Sequence, residues 1–373
     1  MSKKKQTRRN VLKTAGVIVA TGLLGSCNNS GTPENKGKSS SVLKKTFDWK
    51  MVTTWPKNFP GLGTGAQRIA DNIKIMSSGR LNIKLFAAGE LVPPFECFDA
   101  VRENKAQLFH ATPYYWINKN KSAPFFGAVP GGLTAQEHNA WINYGGGQEL
   151  WDKLYSKFGL KSFMAGNSGT QMGGWFLKEI KSIDDFKGLK MRIPGLAGEV
   201  LSRLGGTPVA LPGGEIMPSL QSGAIDATEW IGPWNDLAFG FHKITKYYYG
   251  PGFHEPSSVL ECCVNLDSFN ELPNDLKAIF VTACEAENTR MISQFTAANV
   301  EAQQKLVNNH GVIIKNFPKR VFKKILEISE QVVAETANEG EINSAIYNSW
   351  SSFKENTKLR APFAEFGYLN LSN

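Results

Sequence analysis

Hydrophobic and polar positions in the first two thirds of the chain follow patterns that predict strands and helices in turn. Residues 47–55, FDWKMVTTW, and residues 81–86, LNIKLF, have the alternation typical of half-buried strands. Between them, residues 65–79, GAQRIADNIKIMSSG, have apolar side chains at helical spacing and end at a glycine turn. The same order continues over residues 100–166 and over residues 180–255. The pattern therefore predicts an α/β fold.

The last hundred residues have a different pattern. Residues 275–311 and 317–340 are long amphipathic stretches with few helix breakers, and they predict long helices that span or brace two domains. Earlier in the chain, residues 139–159 are helix-like and precede a strand-like run at 160–166. With 373 residues and 42% hydrophobic content, the chain is long enough to bury the cores of two α/β domains.

The N-terminal segment differs from the rest in composition. TRRNVLK, residues 7–13, precedes an apolar run and the tetrapeptide LGSC, which ends at Cys27. This arrangement resembles a twin-arginine export signal joined to a bacterial lipoprotein box, and a transmembrane anchor is the alternative. We expect residues 1–26 to be a signal peptide, Cys27 to carry the lipid, and the polar residues 27–46 to form a flexible tether. The rest of the chain would then lie outside the cytoplasm.

The basic charge of the chain comes largely from this segment. The net charge is +9, but residues 1–26 carry six Lys and Arg and no acid, so an excess of three remains without them. In the remaining sequence no cluster of basic residues is interleaved with aromatic ones. Nucleic acid is therefore not expected as a partner.

Catalytic motifs are missing from the sequence. The five histidines are scattered, and no GxSxG, HExxH, P-loop or CxxC arrangement occurs. We therefore expect a binding protein and not an enzyme. Four polar residues lie in glycine-rich and aromatic surroundings and are the candidates for a binding site: Gln171, Arg192, Glu229 and Glu255.

Three segments resemble the solute-binding proteins of TRAP transporters, the tripartite ATP-independent periplasmic family. They are SSGRLNIKLFAAGEL at 77–91, AGNSGTQMGGWFLKEIKSIDDFKGLKMRIPG at 165–195 and IDATEWIGPWNDLAFGFHKITKYYYGPGFHE at 225–255. The resemblance is strongest to the branch that binds 2-oxo acids and similar small monocarboxylates. It covers most of residues 49–267, and the C-terminal helices are similar to the family in pattern only.

The resemblance implies a two-lobed α/β fold, like that of periplasmic binding proteins of type II, with a ligand cleft between the lobes. Lobe I would comprise residues 47–166 and about 256–275. Lobe II would comprise residues 167–255 and about 311–373. A long helix over about 276–310 would brace both lobes.

The resemblance also implies roles for the candidate residues. Arg192 matches the family's signature arginine, whose planar guanidinium binds the substrate carboxylate through two hydrogen bonds. In the metal-using branch, the positions that match Gln171, Glu229, the carbonyl of Trp230 and Glu255 hold a cation beside the substrate. Gln171 also borders the substrate, and the Trp230 ring would pack against it.

Charge and ligand chemistry support a cation independently of the resemblance. Two carboxylates and an anionic substrate would face a single arginine, and a buried excess of negative charge is costly. Oxygen ligands suit sodium or calcium and leave the choice between them open. Tyr114 and Tyr115 could form a wall of the site, although an ordinary core cluster of aromatic residues is an equal alternative.

The expected function is that of an extracytoplasmic solute-binding protein of a TRAP transporter. It would capture a small carboxylate, a 2-oxo acid such as pyruvate or else lactate, together with the cation and deliver it to the permease subunits in the membrane. The alternatives are a sensor domain of the same fold and a binding protein for a larger acid or a polyol. The expected location is the periplasm, with membrane contact through the lipid anchor only. The aromatic tail, residues 345–371, could pack on its own lobe or on a second subunit in a homodimer.

Overall fold

The structure of the protein is a computed structural model that describes residues 45–372. The predicted signal peptide, the lipid site Cys27 and residues 27–44 of the predicted tether lie outside the described residues. Within residues 45–372 the strands are β1 Phe47–Thr53, β2 Leu81–Phe86, β3 Leu108–Ala111, β4 Leu160–Asn167, β5 Gly174–Phe176, β6 Lys190–Arg192, β7 Thr207–Val209, β8 Ala227–Thr228, β9 Tyr247–Tyr249, β10 Val259–Asn265 and β11 Ile313–Lys315.

Helices surround these strands, as the periodicity of the sequence predicts. In the described part of the chain they are α1 Leu62–Met76, α2 Cys97–Arg102, α3 Ala135–Tyr144, α4 Gly147–Tyr155, α5 Leu196–Arg203, α6 Gly213–Gln221, α7 Pro233–Phe239, α8 Leu266–Asn270, α9 Asn274–His310, α10 Lys319–Glu335, α11 Glu341–Arg360 and α12 Glu365–Ser372. None of the helices between residues 45 and 372 combines the length and the hydropathy needed to cross a bilayer.

The strands form two sheets. The first has the order β2-β1-β3-β10-β4, and the second has the order β11-β9-β5-β8-β6-β7. In the first sheet, β1 runs parallel to β2 and β3, whereas β10 runs antiparallel to both of its neighbours. In the second sheet, β6 runs parallel to β7 and β8, and β5 runs antiparallel to β8 and β9. The predicted α/β fold is thus present as two separate mixed sheets.

Two chain segments pass between the sheets and lie side by side. The first follows β4 and leads to β5, and the second follows β9 and leads to β10. Ser168 N donates to Ser258 O at 3.0 Å, and Gln171 N donates to Glu255 O at 3.1 Å. Gly252 N donates to the carbonyl of Gln171 at 2.8 Å. These backbone hydrogen bonds hold two parts of the chain together that are more than eighty residues apart in the sequence.

Helix α9 is the long helix predicted over residues 276–310. It packs against β4 and α1 near the first sheet and against α7 near the second. On α1, Arg68 Nε donates to the buried Glu287 at 3.0 Å, and further along α9 the Asn299 side chain accepts from Trp234 N at 2.9 Å. The helix therefore contacts elements of both sheets.

Two local features differ from the sequence predictions. The helix-like segment 139–159 is interrupted between α3 and α4, because Gly146 has a positive φ of 84° that does not continue a helix.

The C-terminal segment, which the sequence assigns to lobe II as one unit, divides between two places. Helix α10 packs on α5, whereas α11 packs on α3 and α4, where Trp141 Nε1 donates to Ser349 at 3.2 Å. The buried face of α11, which includes Ile346 and Trp350, therefore packs on the helices beside the first sheet.

Glu261 on β10 is a fully buried acid in the core of the first sheet. Its carboxylate accepts hydrogen bonds from the Ser162 hydroxyl at 2.6 Å, from Trp116 Nε1 at 2.7 Å and from the Tyr155 hydroxyl at 3.3 Å. Burial raises the pKa of Glu261 from 4.5 to about 7, although the three donors oppose this shift.

We predict that Glu261→Gln changes how stability depends on pH. The folded protein binds a proton at Glu261 between pH 4.5 and about 7 that the unfolded chain releases, so wild-type stability falls as the pH rises through this window. The amide has no such titration. Relative to wild type, the variant should gain up to about 3 kcal/mol in free energy of unfolding between pH 4.5 and pH 8, measured by urea denaturation. Glu149→Gln, an exposed acid, is the control, and an equal difference at both pH values would contradict the prediction.

Candidate substrate and cation site

Strand pairing in the second sheet brings Arg192 and Glu229 together. Strands β6 and β8 are parallel neighbours with Arg192 opposite Thr228, and Glu229 N donates to the carbonyl of Arg192 at 3.2 Å. Both side chains are at the carboxyl ends of their strands and are almost completely buried. Ligands commonly bind at this end of α/β sheets, because loops that follow several strands converge there.

The Arg192 guanidinium is held from several directions. It forms a short ion pair with Glu229 Oε1, Nε donates to Leu211 O at 3.1 Å, and Nη2 donates to the Tyr115 hydroxyl at 3.3 Å. Its carbon Cζ lies 5.1 Å from the ring centroid of Trp230, within the range of a cation–π contact. Burial alone would lower the pKa of Arg192, but the charge of Glu229 outweighs it and the pKa is raised. The guanidinium therefore keeps its charge.

Gln171 and Glu255 meet where the two crossing segments lie side by side. Gln171 Nε2 donates to Glu255 Oε2 at 2.7 Å and to the Ser168 hydroxyl at 3.1 Å. Burial raises the pKa of Glu255 to about 7, and the negative charge of Glu229 contributes to the rise. Glu229 is thus close enough to Glu255 to affect the ionisation of Glu255.

Two side-chain oxygen atoms in this region lack hydrogen-bond donors among the described residues. Gln171 Oε1 and Glu229 Oε2 are both buried without a hydrogen bond. Buried acceptors without a hydrogen bond destabilise the folded protein. Two of them close together therefore indicate that a bound ligand interacts with them. Carboxylate and amide oxygens are the ligands that sodium and calcium prefer, so the residues fit a hard cation. The carbonyl of Trp230, also expected as a ligand, stays a prediction.

His254 also lies in this region, although no histidine is among the candidates predicted from the sequence. Its Nε2 lies 3.2 Å from Glu229 Oε2, without the alignment of a hydrogen bond. Ligand atoms of Glu229, His254 and Glu255 all lie within 4.8 Å of one another. Burial lowers the pKa of His254, but contact with Glu229 outweighs this and the pKa is raised. Its position directly before Glu255 was the available signal.

A small cavity lies beside these residues, between the two sheets. Sites for drug-sized ligands typically have volumes of about 300–1,000 Å³, so this smaller cavity suits a small molecule. Four of its lining residues were candidates in the sequence: Tyr114, Tyr115, Gln171 and Trp230. The others are Trp55, Leu62, Thr112, Ser168, Ile231, Ser258 and Leu260, which come from loops and strands of both sheets.

The two tyrosines contribute hydroxyl groups to this region. Burial raises the pKa of Tyr115 to about 12, so its hydroxyl stays protonated at neutral pH. Because Arg192 donates to its oxygen, the proton of Tyr115 is free to point to another acceptor. The pKa of Tyr114 is also raised by burial. The structure therefore brings Tyr114, Tyr115, Gln171 and Trp230 to the cavity wall. Arg192, Glu229 and Glu255 do not line the cavity, but Arg192 contacts Tyr115 and Glu229, and Glu255 contacts Gln171.

Comparison with known proteins identifies relatives over nearly the whole chain. The family of bacterial extracellular solute-binding proteins, family 7, called DctP, matches residues 51–339. A monocarboxylate 2-oxoacid-binding periplasmic protein of Nostoc sp. is 40% identical over 366 residues, which are 98% of this chain and 99% of the relative.

Solved structures give the same result. A TRAP transporter solute-binding protein of Bordetella bronchiseptica, a dimer with calcium and picolinate in its active site, superposes with a TM-score of 0.86 and 38% identity over 88% of this chain and 97% of that one. A TRAP periplasmic solute-binding protein of Pseudoalteromonas atlantica, with bound sodium and pyruvate, has a TM-score of 0.84 and 39% identity over 87% of this chain and 99% of that one. The chain belongs to the DctP family of TRAP solute-binding proteins.

Proposed function

We propose that this protein captures a short 2-oxo acid such as pyruvate, or the related hydroxy acid lactate, together with sodium or calcium. The observation that carries this proposal is the buried Arg192 guanidinium, which contacts two residues of the cavity wall, Tyr115 and Trp230. Unpaired buried oxygens of Gln171 and Glu229 lie in the same region. The relatives support the choice of solute, because one is named for 2-oxo acids and another holds pyruvate with sodium.

In this proposal Arg192 binds the substrate carboxylate and Tyr115 directs it. The guanidinium fork offers two parallel N–H donors to one carboxylate, and burial strengthens both hydrogen bonds because water does not compete. The Tyr115 hydroxyl would donate a third hydrogen bond to the substrate from the first-sheet side. Trp230 covers the small substrate with its ring, and Gln171 borders it.

The cation would be held by Gln171, Glu229, the Trp230 carbonyl and Glu255. When bound, sodium or calcium supplies positive charge that offsets the two buried carboxylates and the substrate anion. Glu229 and Glu255 provide the negative charge, and Gln171 provides an uncharged oxygen. Because the family is one of solute-binding proteins, we infer binding and delivery to the TRAP permease without chemistry.

The remaining assignments follow from this function. A periplasmic location agrees with the family, and we propose that Cys27 carries a lipid anchor after removal of residues 1–26. We propose lobe I around the first sheet and lobe II around the second, with α9 in contact with both. Because α11 packs on α3 and α4, we place it with lobe I rather than lobe II.

The C-terminal segment supports the proposal of a homodimer. Large apolar side chains in this segment are strongly exposed: Leu359, Phe363, Phe366, Tyr368 and Leu371. Helix α12 folds back on residues 361–363, and a Cβ at Gly367 would lie 1.9 Å from Pro362 O, so this turn is tightly packed. An apolar surface of this kind is typical of an interface, and the Bordetella relative is a dimer.

We predict that acid binding depends on a cation. Residues 44–373 form one compact unit; unfolded and refolded to remove bound solute, this unit should bind pyruvate at one site in calorimetric titration when sodium or calcium is present. Without either ion the affinity should fall at least tenfold, because the buried carboxylates then repel the anion. Lactate, 2-oxobutyrate and a polyol are the comparison solutes. Binding of the polyol alone would contradict the proposal.

We predict that Arg192→Lys weakens pyruvate binding at least tenfold while the protein remains folded. Lysine keeps the charge that Glu229 requires but loses the fork that binds two carboxylate oxygens. Arg203→Lys is the matched control, because Arg203 pairs with Glu335 on the exposed surface and should leave the affinity unchanged. Titration and thermal unfolding of both variants measure the effect. Unchanged affinity in Arg192→Lys would remove this residue from the substrate site.

We predict that the C-terminal apolar surface forms the dimer. Sedimentation should show a dimer for wild type at micromolar concentration and a monomer for the triple variant Phe363→Ser, Phe366→Ser and Leu371→Ser. Ile75→Ser is the control, because it removes an apolar side chain that is equally exposed elsewhere. A wild-type monomer, or a dimer that persists in the triple variant, would refute this interface.

A further inference from the structure

Trp55 forms an apolar part of the cavity wall. It follows β1 of the first sheet and is 2% exposed. Its ring meets Trp230 edge to face, with 6.3 Å between the ring centroids, and lies 6.2 Å from the Tyr115 ring. Two indoles from different sheets therefore close the same side of the cavity.

His110 holds the Trp55 ring through a hydrogen bond that points away from the cavity. Trp55 Nε1 donates to His110 Nδ1 at 2.8 Å, and His110 Nε2 donates to the carbonyl of Ala165 at 3.1 Å. This pairing requires the neutral imidazole with its proton on Nε2. Burial lowers the pKa of His110 to about 4, so the neutral form is present at neutral pH.

The histidine itself is rigidly placed. His110 lies on β3 opposite Thr53 of β1 and opposite Cys262 of β10, and it is fully buried. The hydrogen bond thus connects a side chain in a loop to the middle of a sheet. Without it, the buried indole N–H would lack an acceptor, which favours rotation of the ring toward another partner.

The surroundings of Trp55 determine which part of a substrate it can meet. Leu62, Ile231 and Leu260 also line the cavity and belong to the same hydrophobic cluster as Trp55, so this part of the wall is apolar. An alkyl group is compatible with such a wall, whereas a second carboxylate would be buried there without a partner. A methyl group added to a ligand in a filled cavity requires the wall to move.

We propose that His110 is a positioning residue which fixes the Trp55 indole, and that Trp55 in this position limits the substrate to 2-oxo acids with a short alkyl group. The inference rests on the proposed function and names the solute class within it. Pyruvate and 2-oxobutyrate fit, whereas the branched acid 4-methyl-2-oxopentanoate and the dicarboxylate 2-oxoglutarate are rejected.

Three variants of the full-length protein after export test this role. His110→Leu removes the acceptor, Trp55→Phe removes the donor and keeps an aromatic ring, and His110→Asn places an amide oxygen where Nδ1 was. His138→Leu is the matched control, because His138 is also buried but packs against Trp141 and is not the acceptor of the Trp55 hydrogen bond. Thermal unfolding shows that each variant is folded.

Two readouts are measured for each variant. The first is the indole N–H signal of Trp55 in the NMR spectrum without solute, and the second is the ratio of the dissociation constants for 4-methyl-2-oxopentanoate and pyruvate in the presence of calcium. In wild type the indole signal should be sharp and protected from exchange, and the ratio should be large. His110→Leu should broaden the signal and reduce the ratio at least tenfold, whereas His110→Asn and His138→Leu should retain both.

A double variant separates this role from a general loss of structure. If His110 acts through Trp55, His110→Leu should change the ratio little in a Trp55→Phe background, because the hydrogen bond is already absent. Full additivity, or an unchanged signal and ratio in His110→Leu, would overturn the positioning role. Failure of wild type to bind any 2-oxo acid would overturn the substrate limit together with the proposed function, while the indole signal would still decide whether His110 positions Trp55.

Discussion

The balance of buried charge around Arg192 is the constraint on which the site depends. Arg192 and Glu229 are almost completely removed from water and can remain charged because each neutralises the other. Glu255 adds a second carboxylate close by, and its raised pKa of about 7 shows the cost of that addition. The unpaired oxygens of Gln171 and Glu229 lie in the same place. A site with this composition is poorly satisfied by the protein alone, and a cation with a small anion has the charges and the ligands that complete it.

The backbone explains how distant residues reach this place. Parallel pairing of β6 and β8 puts Arg192 next to Glu229, and hydrogen bonds between the two crossing segments put Gln171 next to Glu255. The second arrangement occurs where the chain passes from one sheet to the other. Polar side chains from both sheets can therefore surround one small molecule without any of them belonging to a flexible surface loop.

The sequence was sufficient for the family and the α/β fold, because short motifs around Gln171, Arg192, Glu229 and Glu255 carry the resemblance. The structure brings these four residues together, and their roles in binding stay a prediction. The sequence was insufficient where tertiary contacts decide. No sequence motif marks His254. Only the distance of 3.2 Å between His254 Nε2 and Glu229 Oε2 places it beside the candidate residues. The hydrogen bond between Trp55 and His110 joins residues fifty-five positions apart with no local pattern. Similarly, the amphipathic pattern of α11 shows that one of its faces is buried, but not that this face packs on α3 and α4.

The position of β10 in the first sheet affects how the chain can fold during synthesis. Strands β1 to β4 are made early, but β10, residues Val259–Asn265, lies between β3 and β4 and joins them. Until that strand leaves the ribosome, β3 and β4 each have an unpaired edge, and all strands of the second sheet except β11 have already been made. The N-terminal half therefore cannot complete its sheet before the other half emerges. The order of synthesis and the order of assembly therefore differ, and residues 45–258 by themselves lack the strand that joins β3 to β4.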